Sequence, residues 1–284
     1  MFPTGDLFIR SCWIKRKTVI CGKFSEPLEE ATKSEVNDME SRLAKELRLK
    51  YEPVAVLLSN EKPEGALQSK EGQWSCIIPL FIAAAKGKIS VFERKTTMCP
   101  GGKAGFGFGQ FPNYPNGIEY FLTVGKEGKF EGEGYMKNPE LGEDFVKCLP
   151  ITDIPYEYVV LEPLSQIDTT KEKPELIVFY VNTNQLSALT VLANYYRPGI
   201  ENVMIPFSSG CQSVFLIPYA EAQKENPKAA VGLIDITIRP MIEADMLSFS
   251  VPYKMFLDME KNTDGSFLEK HLWHRIVGKM EKQK

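Results

Sequence analysis

Three cysteines and the glycines beside them carry the chemical interest of this 284-residue chain. Cys99 stands in "KTTMCPGGKAGFGFGQ" (95–110), directly before Pro100 and the pair Gly101–Gly102, and Cys211 stands in "SSGCQS" (208–213) after Gly210. Each follows an apolar run and opens a glycine-containing turn, the kind of loop at a strand end that often carries function. Cys76 lies near the start of the apolar stretch "WSCIIPLFIAAAKGK" (74–88). Three thiolates with an open position suit a soft metal ion or an iron–sulfur cluster. Cys76, Cys99 and Cys211 are therefore candidate metal ligands, with plain packing as the competing reading for Cys76. Gly101, Gly102 and Gly210 are candidate cofactor-binding positions, because a glycine lets backbone amides approach a ligand closely. Arg239 in "DITIRP" is a candidate anion-binding group; the competing reading is a rim salt bridge to Asp235, four residues earlier on the same face of an extended segment.

Other chemistries fit these residues less well. A phosphate loop of the GxxxxGK[ST] type needs lysine and a hydroxyl after its second glycine, whereas "GGKAGFGFG" places Lys103 too early. The GxGxxG fingerprint needs a helix after its glycines, and alternating Gly and Phe suits an extended segment better. A thiol enzyme or redox switch would use Cys211 as nucleophile and Cys99 as its resolving partner. A helix beginning at Cys211 would lower its thiol pKa, as would Lys95 and Lys103 near Cys99. A cysteine–histidine hydrolase is not favoured, because the two histidines, His271 and His274, both fall on a C-terminal amphipathic stretch. Trp74, Phe106, Phe108 and Phe111 line an apolar pocket or pack a core; the core is the default.

Composition sets the frame for these sites. The chain is 43% hydrophobic and 25% charged with a net charge of −3, an ordinary soluble composition that argues against nonspecific nucleic-acid binding. No apolar run reaches the roughly 18 residues of a membrane span. Arg10, Lys15, Arg16 and Lys17 interrupt any signal-peptide core at the N-terminus, so a cytoplasmic location is expected. The six cysteines include no CxxC pair, which excludes ribbon-type zinc and ferredoxin-type spacing, and disulfides are not expected in a reducing compartment.

The elements that must position the cysteines read as follows. Residues 34–50 form a helix with Ser34 as its cap and Val36, Met39, Leu43 and Leu47 on one face. Runs 53–59, 89–93, 117–125, 156–164, 175–181, 202–208 and 229–237 have strand character. Helices are expected over 74–88, with Pro79 in the first turns, and over 140–149 and 184–196, the last with a start signal at Asn182 to Asn184. Residues 248–262 start extended and continue helical. Residues 266–280 form a terminal helix with Phe267, Leu268, Leu272, Ile276 and Met280 on one side. The order strand, helix, strand, cysteine turn occurs twice. Cys76 to Cys99 spans 23 positions and Ser187 to Cys211 spans 24. A duplication is one explanation, with half-repeats at about 51–150 and 156–262 and a pseudo-twofold axis bringing the two cysteine turns to one cleft.

The segments "EPVAVLLSNEKPEG", "CPGGKAGFGFG", "NQLSALTVLANY", "PFSSGCQSV", "DITIRP" and "FSVPYKMFLDMEKNTDGSFL" together resemble the ArCR family, an uncharacterised domain of archaea and anaerobic bacteria. The resemblance covers about residues 38–280. It implies no activity; its setting in anaerobes fits an oxygen-sensitive cysteine site. The expectation is one α/β or α+β domain over 34–280, preceded by an N-terminal extension over 1–33. The best reading of function is binding of a cofactor, soft metal or iron–sulfur cluster at the two cysteine turns. The alternatives are the thiol enzyme or switch and a non-catalytic module for a small acidic or aromatic ligand.

Overall fold

The computed structural model describes residues 41–72, 76–97, 99–109 and 117–282. The N-terminal extension, Cys12, Cys21, Trp74, Phe111 and the first part of the expected helix 34–50 lie outside these. Seven strands form one sheet: β1 (Val54–Ser59), β2 (Ser90–Glu93), β3 (Tyr158–Pro163), β4 (Leu176–Val181), β5 (Val203–Met204), β6 (Ala229–Gly232) and β7 (Leu247–Pro252), in the order β2-β3-β1-β4-β7-β6-β5. Every pairing is antiparallel except β5 with β6. With helices on both faces, this is an α+β arrangement.

The sheet is buried on both sides because strand residues alternate between faces. In β4, Leu176, Val178 and Tyr180 enter one core and Ile177, Phe179 and Val181 enter the other. The first core is covered by α2 (Ile78–Ala85), α3 (Pro100–Gly105) and the helical segment ending in α7 (Ile217–Ala222). The second is covered by α1 (Arg42–Glu46), α6 (Thr183–Tyr195), α8 (Tyr253–Lys261) and α9 (His271–Glu281). Local signals set several boundaries. Asn182 and Gln185 form a reciprocal capping box on α6, and Pro79 sits in the first turn of α2. The Gln185 amide also donates to the carbonyl of Leu47 at 3.1 Å, so its burial leaves no orphan donor there.

Several sequence expectations need correction. Ser41 caps α1, its side chain accepting the Ala44 amide and donating to buried Glu260, while the expected cap Ser34 lies outside the described residues. Residues 117–125 form no strand. Gly117, at φ 110°, leads into α4 (Ile118–Phe121), which packs against α5 (Pro139–Cys148) instead of a sheet edge. Strand β6 ends at Gly232 because Leu233 turns into the left-handed region at φ 60°, and Asp235 then caps a 3-10 segment over Ile236–Met241. On α9 the buried side chains are Trp273 and Met280, while Leu272 is 70% exposed; the Trp273 indole N–H donates to the Glu46 carbonyl at 3.2 Å.

The pseudo-twofold is not found. The central neighbours β1 and β4 run antiparallel, so a twofold relating them stands perpendicular to the sheet and leaves equivalent helices on one face. Helix α2 lies over Val54 and Val56, whereas α6 lies over Ile177 and Phe179 on the opposite face.

Candidate functional site

The glycine-rich stretch after Cys99 folds as a helix rather than an extended segment. Cys99 is the N-cap of α3, its sulfur accepting the Gly102 amide at 3.4 Å, and Pro100 takes the first helical position. The glycines make this helix thin. A methyl group on Gly105 would lie 2.6 Å from the Cys211 sulfur, so only glycine lets α3 press directly against the second cysteine. Phe106 and Phe108 are buried, with Phe106 stacked between Phe92 (4.2 Å) and Phe215 (5.5 Å). They belong to the core.

Cys211 sits in the first turn of the helical segment that continues as α7. Residues Gln212–Leu216 are wound as a π-helix. The cause is in the sequence: Pro218 has no N–H, and its ring would clash with the carbonyl of Val214 in a regular helix, so the turn before it widens. Gly210 stands at the start, where a side chain would lie 2.8 Å from Ile78 and 2.9 Å from Ile238. The space over Gly210 and Gly105 is thus already taken by protein side chains.

These elements meet around a cavity of about 190 Å³. Its inner wall holds Cys76, Cys99 and Cys211 together with Gly101, Gly102 and Gly210. The outer wall is apolar and aromatic, made by Ile118 and Phe121 of α4, Phe145 of α5, and Phe207 and Tyr135. The Phe207 ring lies 5.8 Å from that of Tyr135 and 5.2 Å from that of Phe145. Sequence reading missed this wall, because nothing local ties residues 118–146 to residue 207. Asp235 closes one side. Lys95 and Lys103 are not part of the lining.

Burial disfavours the charged form of two of these thiols, Cys211 and Cys76. The Cys211 thiol donates to the Gly101 carbonyl at 3.2 Å and lies 3.2 Å from the Ser209 hydroxyl. Burial pushes its pKa up to about 12, and the Ser209 hydrogen bond pulls back only part of that. The lowering expected from a helix start is outweighed by desolvation. Burial likewise raises the Cys76 thiol. Among the described residues no group of three or more His, Cys, Asp or Glu side chains is arranged to hold a metal ion. The three cysteines share a cavity, and among the described residues they form no such ligand set. Cys148 is exposed on α5, as are His271 and His274 on α9.

Asp235 and Arg239 do not pair with each other. The Arg239 guanidinium donates to the carbonyls of Leu233 (3.1 Å), Met246 (2.8 Å) and Ala244, which pins the loop after β6, and it is not part of the cavity lining. Asp235 accepts on Oδ1 from the Tyr135 hydroxyl (2.8 Å), the Thr237 amide (3.0 Å) and the Thr237 hydroxyl (2.9 Å).

No helix among the described residues is long and apolar enough to cross a membrane. The family profile described as an uncharacterised ArCR domain of unknown function matches residues 42–262, a span that includes every wall of the cavity. No curated protein and no solved structure matches the chain.

Proposed function

The chain belongs to the uncharacterised ArCR family, and from that premise we propose that it binds a small, mainly apolar molecule in the cavity between the two cysteine turns and the α4–α5 wall. The observation that carries this reading is the cavity itself, about 190 Å³ and walled by Ile118, Phe121, Phe145 and Phe207. An apolar cavity of roughly 150 Å³ is enough to take up benzene. Specific small-molecule sites combine such apolar walls with a few polar groups that fix orientation, and here the thiols, Ser209 and Asp235 are those groups. Cys211 and Cys76 act as polarizable wall atoms, a role favoured by the burial that raises both thiols. A thiol enzyme would need an accessible thiolate, which a buried thiol at about 12 does not supply at neutral pH. The aromatic ligand class suits the site better than the acidic one, since the charged group lining it is a carboxylate.

Calorimetric titration with benzyl alcohol tests the reading. Saturable one-to-one binding is expected in the native chain, and at least a tenfold loss in Ile118→Trp, whose indole fills the cavity from α4. Absence of binding by the native chain overturns the proposal. So does a stoichiometric metal or cluster in protein purified without oxygen, since the cysteines would then be ligands.

A further inference from the structure

One group in this cavity lacks a partner that its chemistry demands. Asp235 is 92% buried, with only 8% of its surface exposed, and it lines the cavity. All three hydrogen bonds it accepts fall on Oδ1, as given above, and Oδ2 accepts none among the described residues. None of the ion pairs among the described residues includes it. Arg239, the cation nearest in sequence, spends its donors on backbone carbonyls. Among the described residues no lysine, arginine or histidine lines the cavity. A buried carboxylate is costly unless it is paired and hydrogen-bonded, and the residue that carries this unpartnered oxygen lines a ligand-sized space.

Resting on the small-ligand reading above, we infer that the ligand is a small organic cation, an ammonium on an apolar or aromatic body, whose N–H groups pair with Asp235 Oδ2. The charge-assisted hydrogen bond supplies orientation. Tyr135, whose hydroxyl meets Asp235, and Phe207, packed edge-to-face against Tyr135 in the same lining, supply aromatic surface of the kind that attracts an organic cation. The field of the site has the matching sign: the Asp235 charge adds to burial in raising the carboxyl of neighbouring Glu133 and the phenol of Tyr135, the latter to about 12. The three contacts on Oδ1 lock the carboxylate in place before a ligand arrives, so little ordering is needed on binding.

The test is a three-ligand titration of the full chain with benzylamine (an ammonium at pH 7), benzyl alcohol (its neutral counterpart) and benzoate. Benzylamine is expected to bind at least tenfold tighter than benzyl alcohol, and benzoate more weakly than either. In Asp235→Asn the amide oxygen still caps the 3-10 turn, so the melting temperature should hold while the preference for benzylamine over benzyl alcohol disappears. Equal affinities in the native chain, or a preference that survives Asp235→Asn, overturn this inference and leave the cavity reading standing. If none of the three binds, the cavity reading falls and this inference with it.

Discussion

On one face of the sheet, α6, α8 and α9 lay large side chains such as Leu189, Phe256 and Trp273 against Ile177, Phe179 and Phe249. On the other, the covering elements near Cys211 are thin or irregular: a glycine-bearing α3, a π-wound turn and a 3-10 segment. The first face is filled by the large side chains of these helices. The second brings backbones close at Gly105 and Gly210, which leaves an apolar gap at the point where those short elements meet α4 and α5. The difference separates the two tasks of the sheet. Both faces bury a full hydrophobic core, and the second also encloses a shaped space.

The comparison breaks most readily at Phe249, fully buried against Phe179 at 6.4 Å on the filled face. Phe249→Ala is expected to cost about 3–5 kcal/mol in urea unfolding. Phe207→Ala, at a site 44% exposed on the cavity face, should cost about 1 kcal/mol or less and instead weaken benzylamine binding. Similar costs for both would erase the distinction between the faces.

A second pair sharpens it with one substitution type. Gly105→Ala drives a methyl into the Cys211 sulfur and should destabilise by about 1–3 kcal/mol. Gly278→Ala on α9 meets nothing within 4 Å and should stabilise by roughly 0.5–1 kcal/mol, the ordinary helix preference for alanine. The opposite signs are the prediction; melting temperatures read them.

The smallest effect concerns pH. Folding raises the Cys211 thiol from its ordinary value of 9.0 to about 12. The folded state therefore keeps a proton that the unfolded chain gives up above pH 9. The stabilisation is whole below pH 9 and declines as pH rises toward 12, by on the order of 1 kcal/mol per pH unit. Unfolding midpoints at pH 8, 9 and 10 should fall more steeply for the native chain than for Cys211→Ala. Parallel slopes would mean that water reaches the thiol.

Much of the sheet was legible in the sequence, because runs such as "ELIVFYV" and "SFSVPY" are bounded by turn or cap residues and admit one period. Helix α6 was legible through Asn182. Residues 117–125 were not: a short apolar run fits a strand or a helical turn equally, and packing against α5 decided between them. The site was partly legible. Cys76, Cys99, Cys211, Gly101, Gly102 and Gly210 line one cavity, although the twofold invoked to bring the cysteine turns together is not found among the described residues. Arg239 looked like a ligand group and serves the backbone instead, a distinction that depends on where five guanidinium N–H groups find carbonyls.

By itself the sequence determined the residue types available for chemistry, the apolar runs that make the sheet and the close-approach glycines. Those are local properties, set by side-chain size, polarity and backbone freedom. Only the tertiary structure decided that burial raises the Cys211 thiol, that Phe121, Phe145 and Phe207 line one cavity with the cysteines, and that Asp235 enters no ion pair among the described residues. Burial, aromatic walls and missing counter-charges are properties of the space between distant segments, and no stretch of chain carries them alone.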